Sequence, residues 1–450
     1  MNIPTAFPLD TDQTHALELM LSGRNVFLTG KAGTGKSTVL HRFQELAGPN
    51  TIFLAPTGLA ALNINGETIH RFLGLAVTPV FPVGFANPLD GHRRDLVAAT
   101  ECVVLDEIGM VRSDLFAVLE NTFSSVPLPD GAGRPFGGRQ IVCVGDFHQL
   151  PPVLCNEDWN LFMVNYDGLF AFQTPAWRDA KFAAVELGQV HRQDAGERQF
   201  LAALDSIRRG GTPEAPLADA IEWINANART GQTTPPGATA LCTTRRGAAA
   251  INTILDSRLD GRPFVFKAIA WGEFDEASFP ADLEMGFRIG SRVVMLANTE
   301  TPWGDGFVNG ETGTVQEVNL EGGEPAVLVA LDRGRSVCVR PHVWLHKTYT
   351  IGTDPFTGRP TICQLPLGGI NQLPMKLAYA LTIHKAQGTT LDRVHIHLGA
   401  WGTFVSGQLY TGLSRVRSLA GLSLDRPLFP EDAITSSAVL DFHESLSRKA

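Results

Sequence analysis

A glycine-rich loop near the start of the chain has the residue types needed to bind phosphate groups. It reads Gly30-Lys31-Ala32-Gly33-Thr34-Gly35-Lys36-Ser37, after an apolar stretch at 25–29 and before a helix expected at 38–46. Glycines allow backbone N–H groups to point at phosphate oxygens, and the helix N-terminus adds partial positive charge. Lys36 would contact the β- and γ-phosphates of a nucleoside triphosphate, and the Ser37 hydroxyl would bind Mg²⁺. The residues predicted to bind the nucleotide here are Gly30, Ala32, Gly33, Thr34, Gly35, Lys36, Ser37 and Thr38.

Two acidic residues follow a later apolar strand, where they could act on the bound nucleotide. Asp106 and Glu107 come directly after the run Cys102-Val103-Val104-Leu105. An acid at a strand end that faces the phosphate loop can hold Mg²⁺ through water, so Asp106 is the second predicted metal-binding residue. Glu107 would orient and deprotonate the attacking water.

Two glutamines are candidates for further contacts with the nucleotide. Gln149 lies shortly after Gly145-Asp146, and it would sense the γ-phosphate or position water, as glutamines do in other phosphate-loop enzymes. Gln13 lies upstream of the loop, and its amide has the donor and acceptor needed to bind both edges of an adenine. Taken alone, Gln149 also fits an ordinary turn and Gln13 an ordinary surface helix. With the loop and the acidic pair, they indicate an enzyme that hydrolyses ATP.

Composition narrows the class of protein. The net charge of −9 argues against a general basic surface that coats nucleic acid, although it leaves room for a local basic groove. The apolar runs are far too short to span a bilayer, and the first residues lack the pattern of a secretory signal. The six cysteines form no C-x-x-C pair, which argues against a zinc site. We therefore expect a soluble intracellular protein in a reducing compartment.

The order of predicted elements indicates two α/β domains. Apolar strands alternate with helices over about the first 185 residues, which predicts a parallel sheet covered on both faces. A second α/β unit begins near Glu186 and includes strands at Thr239–Cys242 and Arg292–Leu296. The stretch 74–98, rich in Pro, Gly and Phe, is predicted to be a small insertion rather than core. Short alternating runs over 299–374 predict a small antiparallel barrel inserted in the second domain.

Taken together and in this order, the motifs resemble those of superfamily 1 DNA helicases of the PIF family, with RecD-like helicases as relatives. The segment Pro135-Phe136-Gly137-Gly138-Arg139-Gln140, just before Gly145, is similar to the PIF family's own signature. Matches continue almost to the end of the chain. Besides the residues already named they are 55–61, 68–70, 106–110, 145–152, 190–193, 381–388 and 410–415.

The resemblance implies two RecA-like phosphate-loop motor domains with ATP and Mg²⁺ bound between them. The expected boundaries are 1–186 for the first domain, with a strand-splitting wedge at about 74–98, and 187–450 for the second. The barrel at 299–374 resembles the family's SH3-like subdomain. Arg192 and Arg415 match arginines that reach the γ-phosphate from the second domain, a role that stabilises charge in the transition state.

The resemblance also implies a path for single-stranded DNA across both domains. Thr57, His70, Thr382 and His384 match positions near this path, where hydroxyls and backbone amides hold phosphates without reading sequence. Basic and aromatic side chains nearby would add charge or stacking. The residues expected to do so are Arg139, Phe147 and Lys385. Gly388, with Gln387, matches a segment that couples DNA contacts to ATP contacts.

Proteins with these motifs move 5′ to 3′ on single-stranded DNA and unwind tailed or forked duplexes, DNA–RNA hybrids and G-quadruplexes. The family acts in DNA repair, recombination, replication and telomere maintenance. The chain is accordingly expected to be a monomer without membrane contact. Because it lacks long terminal extensions, a cytoplasmic, nucleoid-associated protein of the bacterial or phage type is expected.

Two alternatives stay open at this point. One is a RecD-like subunit that works only inside a larger repair complex, with a partner supplying nuclease residues. The other is an ATP-regulated DNA-binding switch that does not move along the strand. The motifs beyond Glu186 argue against the switch, because a simple switch needs no second motor domain.

Overall fold

Six parallel strands form the sheet of the first domain, in the order β3-β2-β4-β5-β1-β6. The computed structural model describes residues 8–75, 80–191, 197–273, 276, 279–299, 306–320 and 324–448. The strands are β1 (Val26–Gly30), β2 (Thr51–Ala55), β3 (Glu67–Thr68), β4 (Cys102–Leu105), β5 (Gln140–Val144) and β6 (Ala183–Leu187). The helices are α1 (Thr11–Leu21), α2 (Lys36–Leu46), α3 (Gly58–Asn63), α4 (Ile69–Leu73), α5 (Gly91–Ala99), α6 (Ser113–Ser124), α7 (Trp159–Asn165) and α8 (Pro175–Ala180).

The central strands of this sheet are buried along nearly their whole length, as their continuous apolar sequences predict. Strand β1 lies between β5 and β6, and β4 pairs with β5. All pairs in the sheet are parallel, so the carboxyl ends of β1, β4 and β5 meet at one edge. This edge therefore brings together the phosphate loop, Asp106-Glu107 and the segment that contains Gln149.

A second parallel sheet, in the order β19-β8-β20-β21-β7, forms the core of the second domain. Its first elements are α9 (Arg198–Arg209), α10 (Leu217–Asn227), β7 (Arg229–Thr230), β8 (Thr239–Cys242) and α11 (Arg245–Ser257). Later in the chain come β9 (Phe264–Lys267), β10 (Ile269–Gly272), β11 (Glu284–Phe287), β12 (Arg292–Met295), β13 (Thr312–Asn319), β14 (Ala326–Leu331), β15 (Ser336–Val339), β16 (His342–Thr353), β17 (Pro360–Gln372), β18 (Met375–Leu377), β19 (Ala380–Thr382), β20 (Val394–His397), α12 (Gln408–Leu413), β21 (Leu422–Leu424) and α13 (Ser437–Ser447). The predicted α/β class with two RecA-like domains is confirmed.

The strand predicted at Arg292–Leu296 exists, but its assignment to the α/β sheet is wrong. Strand β12 pairs antiparallel with β13 and β18 in a separate five-stranded sheet, in the order β15-β14-β13-β12-β18. Val293, Val294 and Met295 are all buried, and a short buried run of this kind does not reveal which strand will pair with it. The inserted antiparallel region therefore draws strands from both sides of 299–374.

A long hairpin formed by β16 and β17 extends from the second domain and docks on the first. The Tyr349 hydroxyl accepts a hydrogen bond from the backbone N–H of Phe53 at 2.9 Å. The Glu67 carboxylate accepts one from the Thr348 hydroxyl at 3.1 Å and forms an ion pair with Arg71. Burial raises the pKa of Glu67 to about 7, since these partners offset only part of the desolvation. The hairpin is thus held by buried polar contacts as well as by packing.

The last helix, α13, also packs against the first domain, although it lies at the end of the chain. Phe442 stacks on Phe172 with ring centroids 4.3 Å apart and contacts Phe147 and Trp177. The first domain is therefore completed by the C-terminal helix.

The stretch 74–98, expected to be a small insertion outside the core, contributes buried residues. Helix α5 begins at Gly91, and its side chains Leu96 and Val97 are buried against the first domain. Residues 76–79 lie outside the described part of the chain. Of the helices that the structure describes, none is long and apolar enough to cross a membrane.

Candidate active site

The phosphate loop leaves β1 and turns into α2 with a backbone that only glycine adopts easily. Gly30, Gly33 and Gly35 all have positive φ angles, and Gly35 precedes the first residue of α2. The Lys36 ammonium lies over the loop and donates to the carbonyl oxygens of Gly30 and Lys31 at 2.7 and 3.1 Å. The loop and the start of α2 thus have the geometry from which the sequence predicts phosphate binding.

Gln13 supports the loop from below. Its side-chain oxygen accepts from the Asp10 N–H at 3.1 Å, and its amide nitrogen donates to the carbonyl oxygen of Thr34 at 3.0 Å. A Cβ atom at Gly35 would lie 2.3 Å from this nitrogen, so a larger residue there would displace the Gln13 amide. Contact between Gln13 and an adenine stays a prediction.

Asp106 and Glu107 lie at the carboxyl end of β4 and line a cavity together with Ser37. Burial raises the pKa of Asp106 to about 7, with the neighbouring Glu107 adding to the shift. Burial also raises the pKa of Glu107, against the attraction of Lys36 and Arg415. Hydroxyl and carboxylate oxygens are the donors that Mg²⁺ prefers. Ser37 and Asp106 therefore fit the predicted metal-binding role.

The second domain reaches directly into the phosphate loop. The Tyr410 hydroxyl on α12 accepts a hydrogen bond from the backbone N–H of Ala32 at 2.9 Å. The Lys31 ammonium pairs with Asp205 on α9 at 3.1 Å. A movement of the second domain would therefore change these two contacts with the phosphate loop.

Arg415 follows α12 and is almost fully buried at the wall of the cleft between the domains. Its guanidinium donates to the carbonyl oxygen of Thr411 at 2.9 Å and to the Ser414 hydroxyl at 2.8 Å. These contacts fix its direction. Gln387 donates to the Glu107 carboxylate at 3.0 Å, so the 381–388 segment also contacts the predicted catalytic base.

The cleft has a volume of about 430 Å³ and is lined by residues of both domains. Its lining residues are Ala32, Gly33, Gly35, Lys36, Ser37, Thr38, Glu107, Gln149, His191, Gly388, Thr390, Arg415 and Arg417. Most residues predicted from separate motifs to bind or cleave the nucleotide are thus brought together. Arg192 lies outside the described residues; its neighbour His191 lines the cleft and donates its N–H to Gly33 at 2.8 Å.

Gln149 is buried in a segment that abuts the start of α12. The Cα of Gly407, which has a φ of 72°, lies so close that a Cβ would be 2.2 Å from the Gln149 carbonyl oxygen. A displacement at Gln149 would therefore press on the helix that carries Tyr410 and leads to Arg415. This contact gives the predicted γ-phosphate sensor a route to the second domain.

A buried ion pair joins the two domains beside Gln149. Arg208 on α9 contacts the Asp146 carboxylate at 3.2 Å and Glu186 at 3.1 Å. Burial alone would raise the pKa of Asp146, but Arg208 outweighs it and holds that pKa well below its usual range. His148 and His443 lie near the same carboxylate, and within the described residues these three form the one group of at least three His, Cys, Asp or Glu side chains close enough to share a metal ion. Arg208 already occupies both carboxylate oxygens of Asp146, which opposes a metal ion there.

The residues predicted near the DNA path fall into two regions. Thr57 caps α3 and is exposed, while His70 lines a groove of about 340 Å³ between the first domain and the β16–β17 hairpin. Burial lowers the pKa of His70, with Arg112 adding to the shift. In the second domain, Thr382 and Lys385 line a groove of about 630 Å³. His384 lies half-buried beside them, and burial lowers its pKa.

Two predicted DNA contacts are corrected by the structure. Arg139 is 2% exposed, and its guanidinium donates to the carbonyl oxygens of Val97, Thr100, Phe123, Phe136 and Val126. It therefore holds a loop together inside the protein. Phe147 is also 2% exposed and packs among aromatic rings, including Trp177 and Phe442. Neither side chain can reach DNA in this arrangement.

Neither Tyr410 nor Arg208 was predicted from the sequence to contact the other domain. Tyr410 belongs to a quoted motif, but nothing in the spacing shows that its hydroxyl reaches Ala32. Arg208 lies on α9 beside the buried face that contains Phe200 and Leu204, and the sequence pattern alone does not show that this arginine is buried with them.

Comparison with known proteins identifies relatives over the whole chain. The model of the PIF1-like helicase family matches residues 9–214. The ATP-dependent DNA helicase Pif1 of Bdellovibrio bacteriovorus is 30% identical, and the match covers 97% of this chain and 92% of that protein. The human ATP-dependent DNA helicase PIF1 is 32% identical over all of this chain, which spans 65% of the human protein's length. The ATP-dependent DNA helicase PIF1 of Xenopus laevis is 30% identical over all of this chain, which spans 66% of that protein's length.

Solved structures of a Bacteroides Pif1 are similar to the whole chain. The complex with ADP-AlF4 has a TM-score of 0.87 at 29% identity, covering 99% of this chain and 98% of that one. The same Bacteroides protein bound to single-stranded DNA has a TM-score of 0.66 at 30% identity, with 98% of each chain covered. The fold of this chain is thus more similar to the complex with ADP-AlF4 than to the complex with single-stranded DNA. By its sequence and its fold, the chain belongs to the PIF1-like helicase family.

Proposed function

We propose that this protein is an ATP-dependent DNA helicase that moves 5′ to 3′ along single-stranded DNA and unwinds the duplex ahead of it. The observation that carries this proposal is the composite cleft, where Lys36, Glu107 and Gln149 of the first domain face Arg415 of the second. A site of this kind can be complete only when the two domains are close. ATP binding and hydrolysis would therefore open and close the cleft.

The residues of the cleft divide the chemistry among them. Lys36 and the loop N–H groups would hold the phosphates, and Glu107 would take a proton from the attacking water. Arg415 would stabilise the charge that develops at the γ-phosphate. Ser37 and Asp106 would hold Mg²⁺, which would neutralise negative charge on the phosphates. Gln149 would position the water, Gln13 would bind the adenine, and Arg192 would supply a second cation.

DNA is proposed to cross both domains along the groove lined by His70 and the groove lined by Thr382 and Lys385, with Thr57 and His384 nearby. Thr57 and His70 would hold phosphates on the first domain, and Thr382, His384 and Lys385 would do so on the second. The docked β16–β17 hairpin covers the groove at His70, since Leu345, His346 and Lys347 form its other wall. The hairpin would have to shift for a strand to enter. The lower similarity to the DNA-bound Bacteroides structure supports such a shift.

Further features are proposed by analogy with the family. The domains would be 1–186 and 187–450, with α13 completing the first, a wedge at about 74–98 and an SH3-like subdomain at 299–374. Tailed and forked duplexes, DNA–RNA hybrids and G-quadruplexes would be substrates of a monomer. We also propose that the protein is of the bacterial or phage type and is associated with the nucleoid, which the extensive match to a bacterial Pif1 supports.

Stimulation of ATP turnover by DNA tests the proposal. Single-stranded DNA should raise kcat at least about tenfold, because the strand would favour the closed cleft that completes the site. Steady-state ATPase activity is measured with and without a single-stranded oligonucleotide, and Lys36→Ala serves as the inactive control. Turnover that DNA leaves unchanged would instead support an ATP-regulated switch.

A further inference from the structure

A second cavity, of about 240 Å³, lies behind the catalytic carboxyl groups and is here called the rear cavity. Ser37, Glu107 and Gly388 line both the rear cavity and the nucleotide cleft. Asp106 lines the rear cavity but not the nucleotide cleft. The two spaces therefore meet where the γ-phosphate of a bound nucleotide would be cleaved.

The far side of the rear cavity carries two lysines. Lys376 on β18 and Lys385 line it, with the side-chain amides of Asn63, Asn298 and Asn309 nearby. Ammonium and amide N–H groups are donors suited to phosphate oxygens. The volume is several times the roughly 30 Å³ that one water molecule occupies in the liquid. A tetrahedral oxyanion with a few waters would therefore fit.

Lys376 is the more unusual of the two lysines. It is partly buried, and within the described residues its ammonium has neither a hydrogen bond nor an ion pair. Burial lowers its pKa to about 8, with Lys385 adding to the shift and Asp282 opposing it. A bound anion near a partly desolvated ammonium would favour its charged form and so compensate the effect of burial. These observations indicate an anionic ligand at this place.

The two lysines also line the 630 Å³ groove of the second domain, together with Arg245 and Thr382. They thus stand between the nucleotide cleft and a groove proposed to hold DNA. Phosphate groups could reach them from either side, as inorganic phosphate or as a DNA backbone phosphate. Continuity with Ser37 and Glu107 favours the first source, because the rear cavity begins where inorganic phosphate is formed.

We propose that Lys376, with Lys385, binds inorganic phosphate as it leaves the nucleotide cleft through the rear cavity. This rests on the proposed hydrolysis of ATP. In that reaction the water oxygen bonds to the γ-phosphorus, the bond to the β–γ bridging oxygen breaks, and Glu107 takes the proton. ADP and a phosphate anion result, and ADP still fills the front of the cleft. The rear cavity offers the phosphate a separate route with positive charge at its end.

The variant Lys376→Gln keeps most of the side-chain volume and removes the charge. Rapid-quench experiments measure the rate of ATP cleavage. A fluorescent phosphate-binding protein measures the rate of phosphate release. Single-stranded DNA is present in both. In the variant, release should become about tenfold slower than cleavage, the effect of losing one charged hydrogen bond. Lys181→Gln, at an exposed lysine after α8, is the matched control and should keep release in step with cleavage.

Phosphate binding is also measured without turnover. Lysine labelling by an amine-reactive reagent, read by peptide mass spectrometry, should show Lys376 protected by inorganic phosphate in the presence of ADP. Sodium chloride at equal ionic strength should give no protection.

Two results would overturn the proposal. One is phosphate release in Lys376→Gln at the unsubstituted rate, with no protection of Lys376 by phosphate. The other is unchanged release with weaker binding of single-stranded DNA and a salt slope reduced by about one, which would assign Lys376 to the DNA path. Absence of ATP cleavage in the unsubstituted chain would instead contradict the proposed function, and the labelling measurement would still decide phosphate binding.

Discussion

Replacing Glu107 by glutamine should lower kcat for ATP hydrolysis by about 10²- to 10⁴-fold, the usual contribution of a general base. The substitution keeps the shape of the side chain and an oxygen that can accept from Gln387, now 3.0 Å away. It removes the carboxylate that would take the proton from water. Steady-state ATPase assays with single-stranded DNA measure the loss.

Binding of ATP should survive this change, because the phosphates would be held by Lys36 and the loop. Fluorescent ATP analogues test this, and Glu120→Gln, a change on α6 away from the cleft, is the matched control. Turnover within about threefold of the unsubstituted protein would contradict the assignment of Glu107 as the base, since 1.4 kcal/mol of lost transition-state stabilisation already gives tenfold.

Replacing Arg415 by glutamine should lower kcat by about 10³- to 10⁵-fold, as expected for an arginine that stabilises charge at the transferred phosphoryl group. Its guanidinium is held in place at the cleft wall by the hydrogen bonds that it donates to the Thr411 carbonyl oxygen and the Ser414 hydroxyl. Because Arg415 comes from the second domain, the DNA-dependent part of the turnover should be lost with it. The residual rate should no longer respond to single-stranded DNA.

Arg415 is buried, so its loss must be separated from a loss of folding. A thermal melt of the variant and its affinity for single-stranded DNA give that control, and Arg393→Gln removes an exposed arginine just before β20. A folded Arg415→Gln protein that hydrolyses ATP at the normal DNA-stimulated rate would show that the second domain does not complete the site.

Much of the fold could be predicted from the sequence because its strands are continuous apolar runs between glycine and proline residues. The bounds predicted for β4 and β8 agree with the structure. Such runs are diagnostic of buried strands, but they carry no information about partners. This is why β12 was assigned to the wrong sheet, where its partners are β13 and β18.

The candidate site could be predicted where its chemistry lies in short motifs on one sheet edge. The phosphate loop and Asp106-Glu107 are of this kind. Contacts between residues that are far apart in the sequence could not be predicted in the same way. The hydrogen bond between Ala32 and Tyr410 and the pairing of Asp146 with Arg208 depend on how two domains dock. Arg139 shows the opposite error, because a basic residue beside a motif is buried and bonded to backbone carbonyls.

The structure also explains why the two domains should act as a unit. Gly407 abuts the Gln149 backbone, and α12 continues from there to Tyr410, with Arg415 just beyond it. A change at the γ-phosphate would therefore be passed to the second domain through direct contacts. Helix α13 and the β16–β17 hairpin tie the same domains together at two further places. Stepping along DNA requires an arrangement that can alternate between such contacts.

Unwinding of duplexes that carry a single-stranded tail tests the central claim most directly. Two substrates with the same duplex are compared, one with a 5′ tail and one with a 3′ tail, and strand separation is followed by fluorescence. We expect ATP-dependent unwinding from the 5′ tail alone, with none in Lys36→Ala. Unwinding from the 3′ tail alone would contradict the proposed direction. No unwinding of either substrate by a protein with intact DNA-stimulated ATPase would contradict an autonomous helicase and favour a subunit that needs a partner.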